Sequence, residues 1–126
     1  MAQLEHVNIT VKDAAATAAW MQEVFGWYIR WEGEVLGGAG YSIHAGTKES
    51  YVALYTPKAI KSTADNSYLT SGGLNHIAVT VDDIAETEKN VVQAGFTPEK
   101  HGDYEPGLRF YFSDTNGVEY EVVQYT

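Results

Sequence analysis

The strongest constraint on this chain is that it repeats itself. Residues 4–13 read LEHVNITVKD and residues 74–83 read LNHIAVTVDD, an offset of 70 with Leu, His, Thr, Val and Asp matching in place. The same offset lays ESYVALYT (49–56) over EYEVVQYT (119–126). Self-similarity that returns at one spacing marks a duplicated structural unit. We read a first module over 1–56, a linker over 57–73 and a second module over 74–126, together one structural domain. The linker, PKAIKSTADNSYLTSGG, is polar and rich in Ser and Thr.

Each copy opens with alternation. Val7, Ile9 and Val11 face one way and Leu4, His6, Asn8 and Thr10 the other; Ile77, Val79 and Val81 oppose Leu74, His76, Ala78 and Thr80. Period two over this length predicts a strand with one apolar face. Asp13 and Asp83 stand where helix N-caps belong, and the runs they open stop at Gly26 and Gly95. Three further strands are expected in each half, near 27–34, 40–45 and 50–56, and near 96–101, 108–113 and 118–125. Pro106–Gly107 and Asn116–Gly117 mark turns in the second set. The order is βαβββ, twice, an α+β fold in which curved mixed sheets form a cavity. A four-stranded unit with one helix covers one sheet face and leaves the other bare. The helix should take the Val/Ile face, leaving the His face to line the cavity.

Composition narrows the function. At 126 residues the chain can bury roughly two thirds of its surface, enough for a core without staples. There is no Cys, which removes disulfides, thiolate metal sites and a Cys nucleophile. Eight Lys and Arg against 17 Asp and Glu give a net charge of −9, which repels nucleic-acid phosphates. No apolar run approaches the roughly 20 residues that cross a bilayer, and MAQLEHVNIT lacks the features of a signal peptide. A cytoplasmic protein acting on a small molecule is the expectation.

His6 and His76 hold the same place in the two copies. A lone His of this kind is most often a satisfied imidazole; two at symmetric positions point to a shared ion. Glu121 adds a carboxylate inside an otherwise apolar strand, costly to bury unless paired or metal-bound. Glu119, nearer the turn, reads as solvated. His6, His76 and Glu121 make an N,N,O donor set suited to divalent Fe, Mn, Co, Ni or Zn with open positions. At the repeat offset Glu121 overlies Tyr51, not a second acid, so three protein ligands are expected rather than four. Arg109 reads as surface charge, with anchoring of an anionic substrate as its functional alternative. His44 and His101 lack symmetric mates and are left outside the site.

The paired modules, the two His-bearing opening strands and a late F-x-D-x-x-G-x-x-x-E segment (Phe112, Asp114, Gly117, Glu121) resemble the vicinal oxygen chelate superfamily. This is the glyoxalase, bleomycin-resistance and extradiol dioxygenase group, and the resemblance spans nearly the whole chain. It implies His6, His76 and Glu121 as ligands of a divalent metal, and a homodimer. Glyoxalase I relatives carry a further acid as ligand and base; here that place is Tyr51, or Ala53 if the register slips by two. Their Asp-Pro-Asp-Gly turn stands here as Asp114-Thr115-Asn116-Gly117, which still makes a hairpin.

Such an ion would hold two neighbouring oxygens of a small substrate. The expected reactions are lyase or isomerase chemistry beside a carbonyl, ring-opening dioxygenation, or addition to an epoxide. Glu121 and Tyr51 are the candidate catalytic residues, Tyr51 by hydrogen-bonding an oxygen at the metal. The alternative is a metal-free small-molecule-binding protein resembling the bleomycin resistance proteins, trapping cationic planar drugs in an acidic, aromatic cleft.

Overall fold

A computed structural model describes residues 1–61, 66–104 and 107–125. The chain divides into two compact units, Met1–Ser62 and Thr63–Thr126. No helix among the described residues is long and apolar enough to cross a membrane.

The first unit runs β1 (His6–Thr10), α1 (Ala14–Phe25), β2 (Tyr28–Val35), a 3₁₀ turn (Leu36–Gly38), β3 (Gly40–Gly46) and β4 (Tyr51–Pro57). Its sheet has the order β1-β4-β3-β2, with β1 parallel to β4 and the other ladders antiparallel. The second unit repeats the plan with β5 (Ile77–Thr80), α2 (Ile84–Gln93), β6 (Glu99–Tyr104), β7 (Gly107–Ser113) and β8 (Glu119–Tyr125), in the order β5-β8-β7-β6. The α+β reading of two βαβββ modules with mixed sheets is the observed architecture.

Local chemistry explains the helices. Asp13 and Asp83 are extended N-caps whose carboxylates accept from Ala16 and Glu86 N–H at 3.0 and 3.1 Å. The first helical N–H is also taken: Ala14 donates to Thr56 Oγ1 at 3.0 Å, and Ile84 to Gln124 Oε1 at 2.9 Å. Each helix is thereby tied to the last strand of its own sheet. Gly26 ends α1 in the left-handed region, its N–H on the Gln22 carbonyl. Past α2, Gly95 and Phe96 donate back to Val92 and Val91, a Schellman ending that needs the positive φ of Gly95.

Each helix packs on one face of its sheet. In the first unit Ala18 and Met21 meet the buried face of Ile43, Ala45, Val52 and Leu54; in the second, Phe110, Phe112, Tyr120 and Val122 are fully buried beside α2. Gly46 closes the β3–β4 turn, and a Cβ there would collide with the Ser50 carbonyl and the Tyr51 backbone. Backbone cannot swing aside as a side chain can. Gly46→Ala is therefore expected to cost about 1–3 kcal/mol in urea unfolding.

Of the three further strands read in each half, five lie within one residue of the sequence reading and one departs by three. The strand expected at 96–101 begins at Glu99, because Pro98 has no N–H to give a ladder. It carries an irregularity between Glu99 and Gly102, where Lys100 adopts a φ of +54°. β4 runs one residue past the first module, through Pro57. Pro106, read as part of a turn, lies outside the described residues, as do linker residues 62–65.

Candidate metal centre

His76 and Glu121 meet. β8 runs parallel to β5, and its register sets Ala78 beside Glu121, two residues beyond His76. His76 Nε2 lies 3.1 Å from Glu121 Oε1. Two donors each about 2.1 Å from one ion, at a right angle, stand about 3 Å apart. The spacing thus fits adjacent positions on a divalent metal. Glu121 is the more enclosed partner, its side chain 9% exposed against 31% for His76.

Charge surrounds this pair on both sides. Glu121 Oε2 accepts from Arg109 Nη1 at 2.8 Å, and the Arg109 side chain is only 12% exposed. Its guanidinium lies over the Tyr104 ring at 4.7 Å. Next to His76, Glu119 accepts from Lys100 Nζ at 2.9 Å and, by a very short contact, from the Tyr68 hydroxyl. Tyr68 also reaches His76 Nδ1 at 3.4 Å. Burial pushes the Glu119 carboxyl up, but the Tyr68 and Lys100 hydrogen bonds outweigh it and hold the group below its ordinary value. Glu119 and Arg109 are therefore not the solvated charges that their positions in the sequence suggested. The Tyr111 phenol is raised, first by burial and then by the Glu121 charge.

In the first unit His6 has other company. Its Nδ1 is 2.8 Å from Glu5 Oε1, and its ring stacks on Tyr51 at 4.8 Å. Tyr51 stacks in turn on His44 at 4.5 Å, His44 meets Trp31 at 5.1 Å, and Arg30 covers Tyr51 at 4.4 Å. Burial leads the causes that lower the His44 pKa. A neutral folded His44 resists a proton that the unfolded chain accepts near pH 6.5, so stability falls as pH drops below that value. His44→Gln is expected to make urea midpoints less sensitive to pH between 7 and 5.5.

The ladders correct the symmetry read from the repeat. Asn8 stands beside Ala53 as Ala78 stands beside Glu121, so the counterpart of Glu121 is Ala53 rather than Tyr51. Tyr51, opposite His6, corresponds instead to Glu119. His101 makes a surface contact with Glu88 at 3.0 Å. Among the described residues no group of three His, Asp or Glu side chains stands ready to hold an ion. The second unit supplies two donors, and His6 belongs to the first. The sequence reading missed Tyr68, Lys100, Tyr104 and Tyr111. A φ of +54° at Lys100 has no sequence signal, and Tyr68 sits in what composition marked as linker.

The fold and the sequence can be placed among known proteins. Its structure is similar to a glyoxylase/bleomycin resistance protein/dioxygenase domain from Frankia sp. EAN1pec, with TM-score 0.82, 18% identity, and coverage of 100% of this chain and 99% of that one. It is similar to the fosfomycin resistance protein FosX from Mesorhizobium loti, with TM-score 0.76, 21% identity, and coverage of 100% and 94%. Glyoxalase I from Zea mays matches at TM-score 0.78 and 18% identity, covering 96% of this chain and 44% of that one. No curated protein matches the sequence. The family model for the Glyoxalase/Bleomycin resistance protein/Dioxygenase superfamily matches residues 3–122, and the chain belongs to that superfamily, the vicinal oxygen chelate group.

Proposed function

We propose that this protein is a divalent-metal-dependent enzyme acting on a small substrate that presents two neighbouring oxygens. His76, Glu121 and His6 would hold the ion, which is Fe, Mn, Co, Ni or Zn by the chemistry of its donors. The observation carrying this reading is the 3.1 Å approach of His76 Nε2 to Glu121 Oε1. When bound, the metal supplies Lewis-acid stabilisation of charge developing beside a carbonyl, an epoxide or an aromatic diol.

The chain's own residues do the rest. Arg109 fixes one oxygen of Glu121 and leaves the other turned toward His76, the role that outer partners play around metal ligands. Glu119, held by Lys100 and Tyr68, keeps negative charge near His76 Nδ1, 3.9 Å away. We assign Tyr51 to positioning: its ring is spent on stacking His6 rather than reaching across as a base. The superfamily commonly builds its cavity from two modules and often exchanges them between chains, so we propose a homodimer. Sedimentation equilibrium tests that state.

Metal uptake is the direct test. Chelator-stripped protein titrated with Mn²⁺, Ni²⁺ and Zn²⁺ is expected to bind one ion per chain, and His6→Ala to weaken that binding at least tenfold. No uptake by the wild type would instead favour the metal-free binder.

A further inference from the structure

We propose that Tyr68, carried by the segment between the two modules, is a positioning residue of the metal site: its hydroxyl accepts a hydrogen bond from His76 Nδ1–H and so aims Nε2 at the ion. This rests on the metal-site reading and deepens it. An imidazole that gives Nε2 to a metal keeps its remaining proton on Nδ1, and the partner of that N–H sets the orientation of the ring. Glu119 stands on that side of His76, but its Oε1 is 3.9 Å from Nδ1, beyond hydrogen-bond reach. The Tyr68 hydroxyl fills the gap, 3.4 Å from Nδ1 and in contact with that same Oε1.

The donor and acceptor roles follow from the chemistry. A carboxylate only accepts, so the Tyr68 hydroxyl spends its proton on Glu119 and has its lone pairs left for His76. The chain of bonds then runs from His76 Nδ1–H to Tyr68 and from Tyr68 to Glu119, whose second oxygen accepts from Lys100 Nζ at 2.9 Å. Tyr111 meets the same imidazole edge to face at 5.7 Å, a second constraint on its tilt.

The segment is built to deliver this residue. Asn66 Oδ1 accepts from Tyr68 N–H at 2.9 Å, and the Asn66 carbonyl accepts from Leu69 N–H at 3.0 Å and from Thr70 Oγ1 at 2.9 Å. Gly73 N–H returns to the Thr70 carbonyl at 2.8 Å, and a Cβ on Gly73 would strike the Ser67 carbonyl. Tyr68 itself is half exposed, so core packing does not account for its place. A hydroxyl delivered by an ordered turn loses little freedom when the ion binds.

Tyr68→Phe removes the hydroxyl and keeps the ring. In equilibrium titration of the full chain it is expected to weaken Zn²⁺ binding about tenfold, the low end for an outer partner because water reaches a His76 side chain that is 31% exposed. ¹⁵N-edited NMR of the Zn²⁺-loaded protein gives a readout that a loss of stability would not move. The wild type is expected to show a His76 Nδ1–H resonance protected from exchange with water, and Tyr68→Phe to lose it. An unchanged resonance in the folded variant overturns the role of Tyr68 alone, whatever the affinity. Should the variant fail to fold, the parent decides: no protected Nδ1–H in the Zn²⁺-loaded wild type overturns the proposal. A wild type that takes up no Zn²⁺ overturns the metal-site reading, and this inference with it.

Discussion

Replacing His76 by Ala is expected to reduce affinity for Mn²⁺, Ni²⁺ or Zn²⁺ by at least 100-fold in equilibrium titration. Loss of an outer partner that merely orients a ligand costs 10–100-fold, and loss of a donor atom costs more. The His76 side chain is 31% exposed and anchors no part of the core, so the variant should unfold within about 1 kcal/mol of the parent. That separation distinguishes a ligand from a structural residue. Glu88→Gln, which alters only the surface contact with His101, serves as the control and is expected to leave metal affinity unchanged. Equal metal binding by the parent and His76→Ala would sink the assignment.

The second large effect falls on the turn ahead of β8. Asp114 is 7% exposed, and its carboxylate accepts from Asn116 N–H at 2.9 Å, Val118 N–H at 3.0 Å and the Tyr120 hydroxyl at 3.4 Å. Tyr120 is fully buried, and burial ahead of the Asp114 charge drives its phenol far above the ordinary range. Asp114→Ala removes the acceptor shared by those three donors. Hydrogen bonds to a charged group are worth about 1.5–3 kcal/mol each and are not additive, so a loss of about 2–4 kcal/mol is expected in urea unfolding at pH 7. Metal affinity should fall with it, because the same turn delivers Glu121. A change below about 0.5 kcal/mol would mean that the turn is held by something else.

The late sequence motif is legible because each of its residues answers a local demand of the turn and strand it builds. Phe112 is a fully buried ring stacked on Tyr120 at 5.2 Å, Asp114 ties the turn, Gly117 takes a φ of +81°, and Glu121 enters the site. Each of the four is fixed by a local demand that few other residues meet. Strand alternation and Asp caps are local too, and for that reason the βαβββ plan and both helices were legible. Arg109 and Glu119 were misjudged because their burial is decided by Tyr104, Lys100 and Tyr68, distant in sequence. A charged side chain looks solvated until the groups that enclose it are known. His76 stood out through the repeat and Glu121 through its place in an apolar strand, whereas the repeat offset put Tyr51 ahead of Ala53 as the counterpart of Glu121, since constant spacing in sequence does not fix a ladder.

That ladder shift has a consequence for anyone exchanging parts between the halves. The opening strands correspond at a spacing of 70, yet Ala53 and Glu121, the partners they select, differ by 68. The discrepancy is an even number, so inward residues stay inward and the hydrophobic interior survives it. A graft of β8 into the place of β4 must obey that parity. Slipped by one, it would present Tyr120 and Val122 where a carboxylate belongs and drive Glu121 beneath the helix.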